Sequence, residues 1–446
     1  MTEGNSYSLL VKFAVPLILG NLFQQLYNLT DTWVIGNYTD NVQYSAVGAC
    51  SPITLIIING VIGLSTGMGI VISRLFGAGD KEGLRRASQT SMVIAAVCAV
   101  IFSIAGVSLS PALLRFTKVP EEAFGYAVTY LRIIFSFVTA QIVYNIGSAV
   151  LRAVGDSRRP FYFLVAASFT NIVLDLLLVI KFHMGVAGVA YATATAQMLA
   201  AVLTLIELIR NTAGIKLELK KWIFDKSICK SMLAIGLPTS LQMSINMVSN
   251  TFIQSYINAL GTDFMSGYAT YHKLEELLFL LNNSLGTACM TFVSQNLGAG
   301  NAKRAKRGVL STVIIGQCIA LLFIPTIVIF APKIVAFFNA KEAVVAYGTM
   351  ALRNVTPFFF MHGITVALMY GLRGTGNSKG PFIAMLFCMV GVRLSYLYFM
   401  TNYVANTPKV VVWSYPAGWI CMFITIGIMF LRTDFEGLIG SVYRKR

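Results

Sequence analysis

The chain has 446 residues, of which 56% are hydrophobic and only 12% are charged, and its net charge is +16. Soluble domains carry roughly 25% charged residues, so this composition excludes an ordinary soluble protein of this length. The basic excess does not indicate nucleic-acid binding either, because the lysines and arginines are scattered over short loops and are not gathered in one domain.

Apolar stretches divide the chain into twelve segments that are long enough to cross a membrane, since about 20 helical residues span the hydrocarbon layer. They predict an all-α membrane protein. In chain order, the predicted spans lie near 10–36, 47–73, 88–110, 124–150, 160–181, 185–209, 231–258, 266–293, 309–331, 344–371, 381–402 and 410–431.

The chain contains an internal repeat. Two loop sequences, at 73–87 and 151–161, recur 221 residues later, and Pro16 recurs as Pro238 with an offset of 222. Six spans per half make the repeat parallel, an arrangement typical of secondary transporters. We therefore predict two six-helix bundles, with an amino-terminal lobe at 1–209, a cytoplasmic linker at 210–230, a carboxyl-terminal lobe at 231–431 and a cytoplasmic tail at 432–446.

Basic residues predict the orientation in the membrane. With the amino terminus inside, cytoplasmic segments hold 24 of the 34 lysines and arginines, whereas outer loops hold six. This positive-inside pattern predicts a multi-pass plasma-membrane protein with both termini in the cytoplasm, and it makes anionic membrane lipids the expected neighbours of the charged loops.

No motif supports an enzyme, and we predict no catalytic residue and no cofactor. The segment from Gly63 to Gly67 matches the GxSxG pattern of hydrolases, but it lies inside an apolar span without the preceding strand that this motif requires. Small residues four apart favour close helix packing instead. The seven cysteines and three histidines show no metal-ligand spacing.

Buried acids are the best candidates for function. A charged residue within the bilayer costs roughly 2.5–3.5 kcal/mol on insertion scales, so intramembrane acids need a reason to be there. Asp31 lies in the first span and Asp175 in the fifth, where Asn171 precedes it by four residues and shares its helix face. At about 1.5 Å per residue, these three and Thr193 of the sixth span lie about 8–15 Å below the outer surface.

These four side chains could converge on one cation or proton site, with Na⁺ as the only metal expected there. Two carboxylates in a low-dielectric pocket repel, so at least one should hold a proton or a cation. The alternative is that each acid is a structural hydrogen-bond acceptor at a helix crossing. At an offset of 221, the second half does not repeat the set, because Asn171 and Asp175 align with Val392 and Tyr396.

Other polar residues are candidates for a substrate cavity. Glu275 and Glu276 lie in the eighth span, close to His272 and Lys273 in sequence, so local ion pairing explains one acid but leaves the other. We expect one of them to face a cavity and attract cations. The remaining candidates for the cavity wall are Gln24, Tyr27 and Tyr144.

The sequence resembles the multidrug and toxic compound extrusion (MATE) transporters over nearly its whole length. The resemblance rests on PLILGNLFQQLYNLTDTWVIG in the first span, the paired GAG and LRxxGxS(R/K)xP loops, and NIVLDLLLVIKFHMGVAGVAYATATAQ across the fifth and sixth spans. It implies two bundles facing a central cavity and Na⁺- or H⁺-driven export of cationic, often aromatic, compounds. It also implies that Asp31, Asn171, Asp175 and Thr193 match the amino-lobe cation-binding and protonation residues.

The sequence therefore predicts a monomeric efflux antiporter for organic cations, driven by H⁺ or Na⁺. The seventh span of this chain lacks the additional acid that some family members carry there. Any second coupling site must therefore use Glu275 or Glu276. The alternative is a flippase for lipid-linked or polysaccharide precursors. Such a protein would require basic residues in its cavity, and Arg393 is the strongest candidate, although it could instead neutralise a carboxylate.

Overall fold

A computed structural model describes residues 1–210, 215, 217 and 222–441, and these residues form helices and connecting turns without a strand. The predicted all-α fold is confirmed. The helices are α1 (Ser6–Tyr38), α2 (Asn41–Gly77), α3 (Lys81–Phe116), α4 (Glu121–Ser136), α5 (Val138–Ala153), α6 (Arg158–Lys181), α7 (Gly185–Arg210), α8 (Lys226–Ala259), α9 (Thr262–Gly298), α10 (Ala302–Phe338), α11 (Glu342–Gly374), α12 (Lys379–Val404), α13 (Pro408–Leu431) and α14 (Gly437–Ser441).

Most of these helices can cross a membrane. Among the described residues, ten single helices are long and apolar enough, and α4 and α5 together form an eleventh span that is bent by 45°. The helix α8 is 34 residues long but falls short in apolarity. Large apolar side chains remain exposed along the spans, including Ile104 (64%) and Leu322 (68%), which suits helices that face lipid.

The chain divides into two compact units. One contains residues 15–240, and the other contains residues 1–14 and 241–446. We call them the amino-terminal and carboxyl-terminal bundles. The helices α1 and α8 pass from one unit to the other, and each does so within three residues of Pro16 or Pro238. Parts of the predicted linker and tail, at 211–214, 216, 218–221 and 442–446, lie outside the described residues.

The repeated loops form the same structure in each bundle. Gly79 and Gly300 have φ angles of 68° and 76°, a left-handed conformation that glycine adopts without a Cβ clash. The next residue caps the following helix: Asp80 Oδ1 accepts from Gly83 N at 2.8 Å, and Asn301 Oδ1 accepts from Arg304 N at 3.0 Å. The repeated GAG sequence is therefore a turn between helices and not a nucleotide site.

Local departures from the α-helix shape both bundles. The fourth predicted span breaks at Phe137, whose φ and ψ angles are −106° and 8°. The helices α6 and α12 widen into π-helical turns at Leu176–Lys181 and Leu386–Val392. Such turns hold an extra residue and re-aim the side chains around them, and they occur often at functional sites.

Candidate functional site

The helices α6 and α7 position the polar cluster of the amino-terminal bundle. Asn171 and Asp175 lie one turn apart on α6, and they are 1% and 0% exposed. The helix α7 approaches closely because of Gly188, where an added Cβ would lie 3.2 Å from Val179 Cγ2 and 3.3 Å from the carbonyl carbon of Leu178. This close approach brings Thr193, one turn and a half along α7, beside the buried face of α6.

The structure brings all four predicted residues together. Thr193 Oγ1 donates to Asp31 Oδ2 at 3.3 Å, and Asn171 Nδ2 donates to Thr193 Oγ1 at 3.5 Å. The carboxyl group of Asp175 faces that of Asp31, close enough for a hydrogen bond when one of the two is protonated. The three helices α1, α6 and α7 thus each contribute to one cluster.

The cluster has more acceptors than donors. Four of its buried oxygens have no donor among the described residues: Asp31 Oδ1, Asn171 Oδ1 and both carboxyl oxygens of Asp175. A buried polar atom without a partner costs roughly 1–3 kcal/mol. Oxygens of this kind can take up a proton or coordinate a cation that prefers hard oxygen ligands.

The composition of the cluster limits its occupant. It holds two carboxyl groups, one amide and one hydroxyl, and no group of three or more His, Cys, Asp or Glu side chains with metal-site geometry occurs in the described part of the chain. Two negative charges at most suit a proton or a monovalent cation better than a tightly held divalent ion.

Of the three predicted wall residues Gln24, Tyr27 and Tyr144, Tyr27 lies near Asp31 of the cluster. Tyr27 is 8% exposed, and its hydroxyl lies beside the amides of Gln24 and Gln197. Tyr144 instead donates its hydroxyl to the carbonyl oxygen of Pro160 at 3.2 Å, so it connects α5 to the start of α6.

Two residues near the cluster escaped sequence analysis. Gln197 follows Thr193 by four residues on α7, and this spacing could have revealed that it shares the helix face. Tyr130 lies in α4, near both acids, and no local pattern distinguishes it from the many other aromatic residues of the chain.

The two acids of α9 have different surroundings. Glu275 is 3% exposed and lines a cavity within the carboxyl-terminal bundle. The side chain of Glu276 is 55% exposed, and its Oε1 lies 3.7 Å from His272 Nδ1. One acid thus faces a cavity and the other an outer face of the helix, where histidine can neutralise it when protonated.

The register of the repeat in α12 differs from the sequence alignment. The buried residues of α6 at Ala167, Asn171 and Asp175 match the buried residues of α12 at Met389, Arg393 and Leu397, an offset of 222. The π-helical turn Leu386–Val392 explains the extra residue, because it inserts between the loop at offset 221 and this face. Arg393, and not Val392, therefore occupies the position equivalent to Asn171.

Comparison with known proteins gives the same register and a family. A sequence model of the MatE family matches residues 16–177 and again residues 238–399, so the two matches are displaced by 222 at both ends. The probable multidrug resistance protein YpnP of Bacillus subtilis is 30% identical over 381 residues, which are 84% of each chain. The probable multidrug resistance protein NorM of Thermotoga maritima is 28% identical over 409 residues, 88% of this chain and 85% of that one.

Solved structures establish the fold. The chain superposes on the outward-facing conformation of a multidrug resistance MATE family transporter of the MOP superfamily with a TM-score of 0.90 and 23% identity, covering 98% of this chain and 97% of that one. It also resembles a MATE crystal structure in the straight conformation, with a TM-score of 0.89, 23% identity and coverage of 99% and 98%. The chain belongs to the MatE family, whose members are multi-pass membrane transporters and not enzymes.

Proposed function

We propose that this protein is a secondary active antiporter that exports organic cations in exchange for H⁺ or Na⁺. One observation carries the proposal: Asp31, Asn171, Asp175 and Thr193 form a buried cluster with four oxygens that no described residue satisfies. A site of this kind is most stable when a proton or a monovalent cation fills it. An ion gradient can therefore act through it.

The coupling follows from charge and helix flexibility. An ion that enters from outside neutralises the carboxyl pair and draws Asp31 of α1 towards α6 and α7. Pro16 lies in the same helix and leaves one backbone hydrogen bond unmade, which gives α1 a place to bend. We propose that this change lowers the affinity for the organic cation, which then leaves on the outer side.

The substrate class is supported by relatives and by the residues around the cluster. YpnP and NorM are both described as probable multidrug resistance proteins. Tyr27 and Tyr130 lie near the acids and offer aromatic faces to a cation. We propose that drug-like aromatic cations bind in this region and that the protein acts as a monomer.

Proteoliposomes with separately imposed gradients test the proposal. An inward Na⁺ gradient at equal pH, or an inward proton gradient without Na⁺, should drive export of a fluorescent cation such as ethidium. Export under one gradient only would identify the coupling ion. The absence of export under both gradients, with protein that is correctly inserted, would contradict the antiport proposal.

Replacing Thr193 by alanine should weaken ion binding without abolishing it. The hydroxyl group is one neutral oxygen of the cluster, and a lost neutral hydrogen bond costs about 0.5–1.5 kcal/mol. The ion concentration for half-maximal export should rise roughly two- to tenfold. Thr195→Ala is the matched control, because Thr195 lies on the same helix with an exposed side chain. Equal effects of both substitutions would place Thr193 outside the ion site.

The location and orientation are also proposals. The positive-inside pattern supports a plasma-membrane protein with both termini in the cytoplasm. In a cysteine-free background, Lys81→Cys at the start of α3 should be protected from a membrane-impermeant maleimide in intact cells, whereas Glu121→Cys at the start of α4 should react. The opposite labelling would reverse the orientation.

A lipid-linked precursor flippase is the second candidate. It is favoured by Arg373 and Arg393, which are 3% and 2% exposed and line the cavity of the carboxyl-terminal bundle. In proteoliposomes with no imposed ion gradient, a flippase would move a fluorescent anionic lipid from one leaflet to the other. Such movement, combined with the absence of ethidium export, would favour this alternative.

A further inference from the structure

The carboxyl-terminal bundle encloses a polar and aromatic cavity of its own. Its volume is about 240 Å³, and helices α8, α9, α11, α12 and α13 all contribute to its lining. The residues that matter for binding are Glu275, Phe279, His362, Arg373, Arg393 and Trp419. None of these belongs to the ion cluster of the amino-terminal bundle.

Arg393 places a positive charge where the other bundle places Asn171. The match of buried positions between α6 and α12 makes the two residues equivalent in the repeat, and both are almost completely buried. In the amino-terminal bundle, this position belongs to a cluster of bare oxygens that attracts cations. In the carboxyl-terminal bundle, the fixed guanidinium group makes the equivalent place attractive to anions.

The guanidinium group of Arg393 is held in place by neutral partners. Its Nη2 donates to Ser249 Oγ at 2.5 Å and to Asn250 Oδ1 at 2.9 Å, and its Cζ lies 5.3 Å from the centre of the Tyr415 ring. All these partners are neutral. Its Nε has no acceptor among the described residues. The carboxylate of Glu275 lines the same cavity and interacts electrostatically with Arg393. Glu275 offsets at most one of the two buried guanidinium groups in this lining, and the uncompensated positive charge is unfavourable unless a ligand supplies a partner.

The whole cavity carries an excess of positive charge. Arg373 also uses neutral partners, since its Nη2 donates to Gln242 Oε1 at 2.6 Å and its Cζ lies 4.9 Å from the centre of the Tyr370 ring. Its Nε likewise has no acceptor. Among the described residues of the lining, Glu275 is the single carboxylate, and two guanidinium groups accompany it. The electrostatic balance therefore favours an anionic group over a second cation.

Aromatic rings form another part of the wall. The ring centres of Phe279 and His362 are 4.7 Å apart, and those of His362 and Trp419 are 5.0 Å apart. Such a surface stacks on a flat ring of a ligand and excludes water from a neighbouring ionic contact. An aliphatic phospholipid tail has no flat ring and could not stack on this surface.

We propose that this cavity is a binding site for an aromatic carboxylate, whose carboxylate group pairs with Arg393 and whose ring packs against Phe279, His362 and Trp419. The free Nε–H of Arg393 can donate to one carboxylate oxygen, and the guanidinium charge attracts the whole carboxylate group. The site extends the range of ligands beyond simple organic cations. It does not depend on ion coupling in the amino-terminal bundle.

Binding of 2-naphthoate to the purified protein tests this site. Isothermal titration in phosphatidylcholine nanodiscs should show saturable binding, whereas methyl 2-naphthoate, which has the ring but no charge, should bind much more weakly. Arg393→Met keeps the side-chain length and removes the charge, and it should weaken naphthoate binding about tenfold or more. Arg353→Met is the matched control, because Arg353 lies on α11 with an exposed side chain and does not line the cavity.

Further variants keep the test decisive. If Arg393→Met is not monodisperse in size-exclusion chromatography, Arg393→Lys retains the charge but lacks the Nε–H donor, and it should bind naphthoate with an intermediate affinity. The Asp31→Asn/Asp175→Asn protein should bind naphthoate like the wild type, so a failure of the antiport proposal leaves this site intact. Equal binding by wild type and a folded Arg393→Met protein would overturn the proposal.

A further measurement distinguishes an aromatic carboxylate from a lipid phosphate as the anion that binds Arg393. Nanodiscs that contain phosphatidylglycerol offer a lipid phosphate in place of the carboxylate. If naphthoate binding persists there, the aromatic carboxylate is the preferred ligand. If it disappears, and phosphatidylglycerol remains bound in native mass spectrometry only when Arg393 is present, the site belongs to a lipid headgroup and our proposal is wrong.

Discussion

Replacing both Asp31 and Asp175 by asparagine should abolish gradient-driven export while the protein still folds. Asparagine keeps the size and the hydrogen-bonding shape of each side chain but cannot bind a proton or carry a charge. Coupling between two sites is typically worth about 1–3 kcal/mol, so the accumulation ratio of the exported cation should fall by roughly one to two orders of magnitude. The measurement is ethidium export from proteoliposomes under the gradient that drives the wild type.

The single substitutions should not be additive. Asp175 is completely buried and faces Asp31, so either Asp→Asn change leaves the cluster with at most one negative charge. Residues that act as a unit lose most of their function with the first substitution, and we expect Asp175→Asn alone to approach the double variant. Asp263→Asn is the control, because Asp263 pairs with Lys341 in an exposed position far along the chain. Wild-type export by the double variant would refute coupling at this cluster.

Replacing Gly67 by alanine should strongly destabilise the amino-terminal bundle. A Cβ at this position would overlap the carbonyl oxygen of Met232 and lie 2.6 Å from the backbone nitrogen of Gly236. Backbone atoms cannot yield as a side chain can, so α2 and α8 would have to separate. Overpacking costs typically about 1–3 kcal/mol, and a backbone clash lies at the upper end of that range or above it.

Gly60→Ala provides the matched control on the same helix. A Cβ at Gly60 has nothing within 4 Å, and alanine favours a helix over glycine by roughly 0.5–1 kcal/mol. The two substitutions should therefore change the stability with opposite signs. Thermal denaturation of detergent-solubilised protein, followed by size-exclusion chromatography, measures both. If Gly67→Ala were as stable as Gly60→Ala, the close contact between α2 and α8 would be wrong.

Much of the membrane architecture was evident from local patterns. Apolar length predicts spans because a helix must bury about 20 residues to cross the hydrocarbon layer. The predicted span at 124–150 nevertheless breaks at Phe137, where the chain has neither proline nor glycine. No local residue type explains that bend. The close packing expected from Gly63 and Gly67 is present in the structure, because small residues permit it wherever a partner helix is available.

The candidate site likewise has some features that the local sequence predicts and others that it does not. The charge cost in a bilayer singles out Asp31 and Asp175, and helical spacing adds Asn171, so these residues were identifiable without coordinates. Their roles remain a prediction. The alignment at offset 221 hid the equivalence of Asn171 and Arg393, because a one-residue π-helical insertion cannot be seen when the flanking loops align without a gap.

The sequence by itself determined the fold class, the repeat, the family resemblance and the short set of polar residues that a membrane would not tolerate without a function. These features depend on composition and on residue spacing along one helix, and both can be read from a single segment of the chain. Only the tertiary structure decided that the oxygens of Asp175 lack donors, that Glu275 and Glu276 have different surroundings, and that Arg393 faces an aromatic cavity. Those facts depend on which helices touch, and contact between distant segments is set by packing that no single segment encodes.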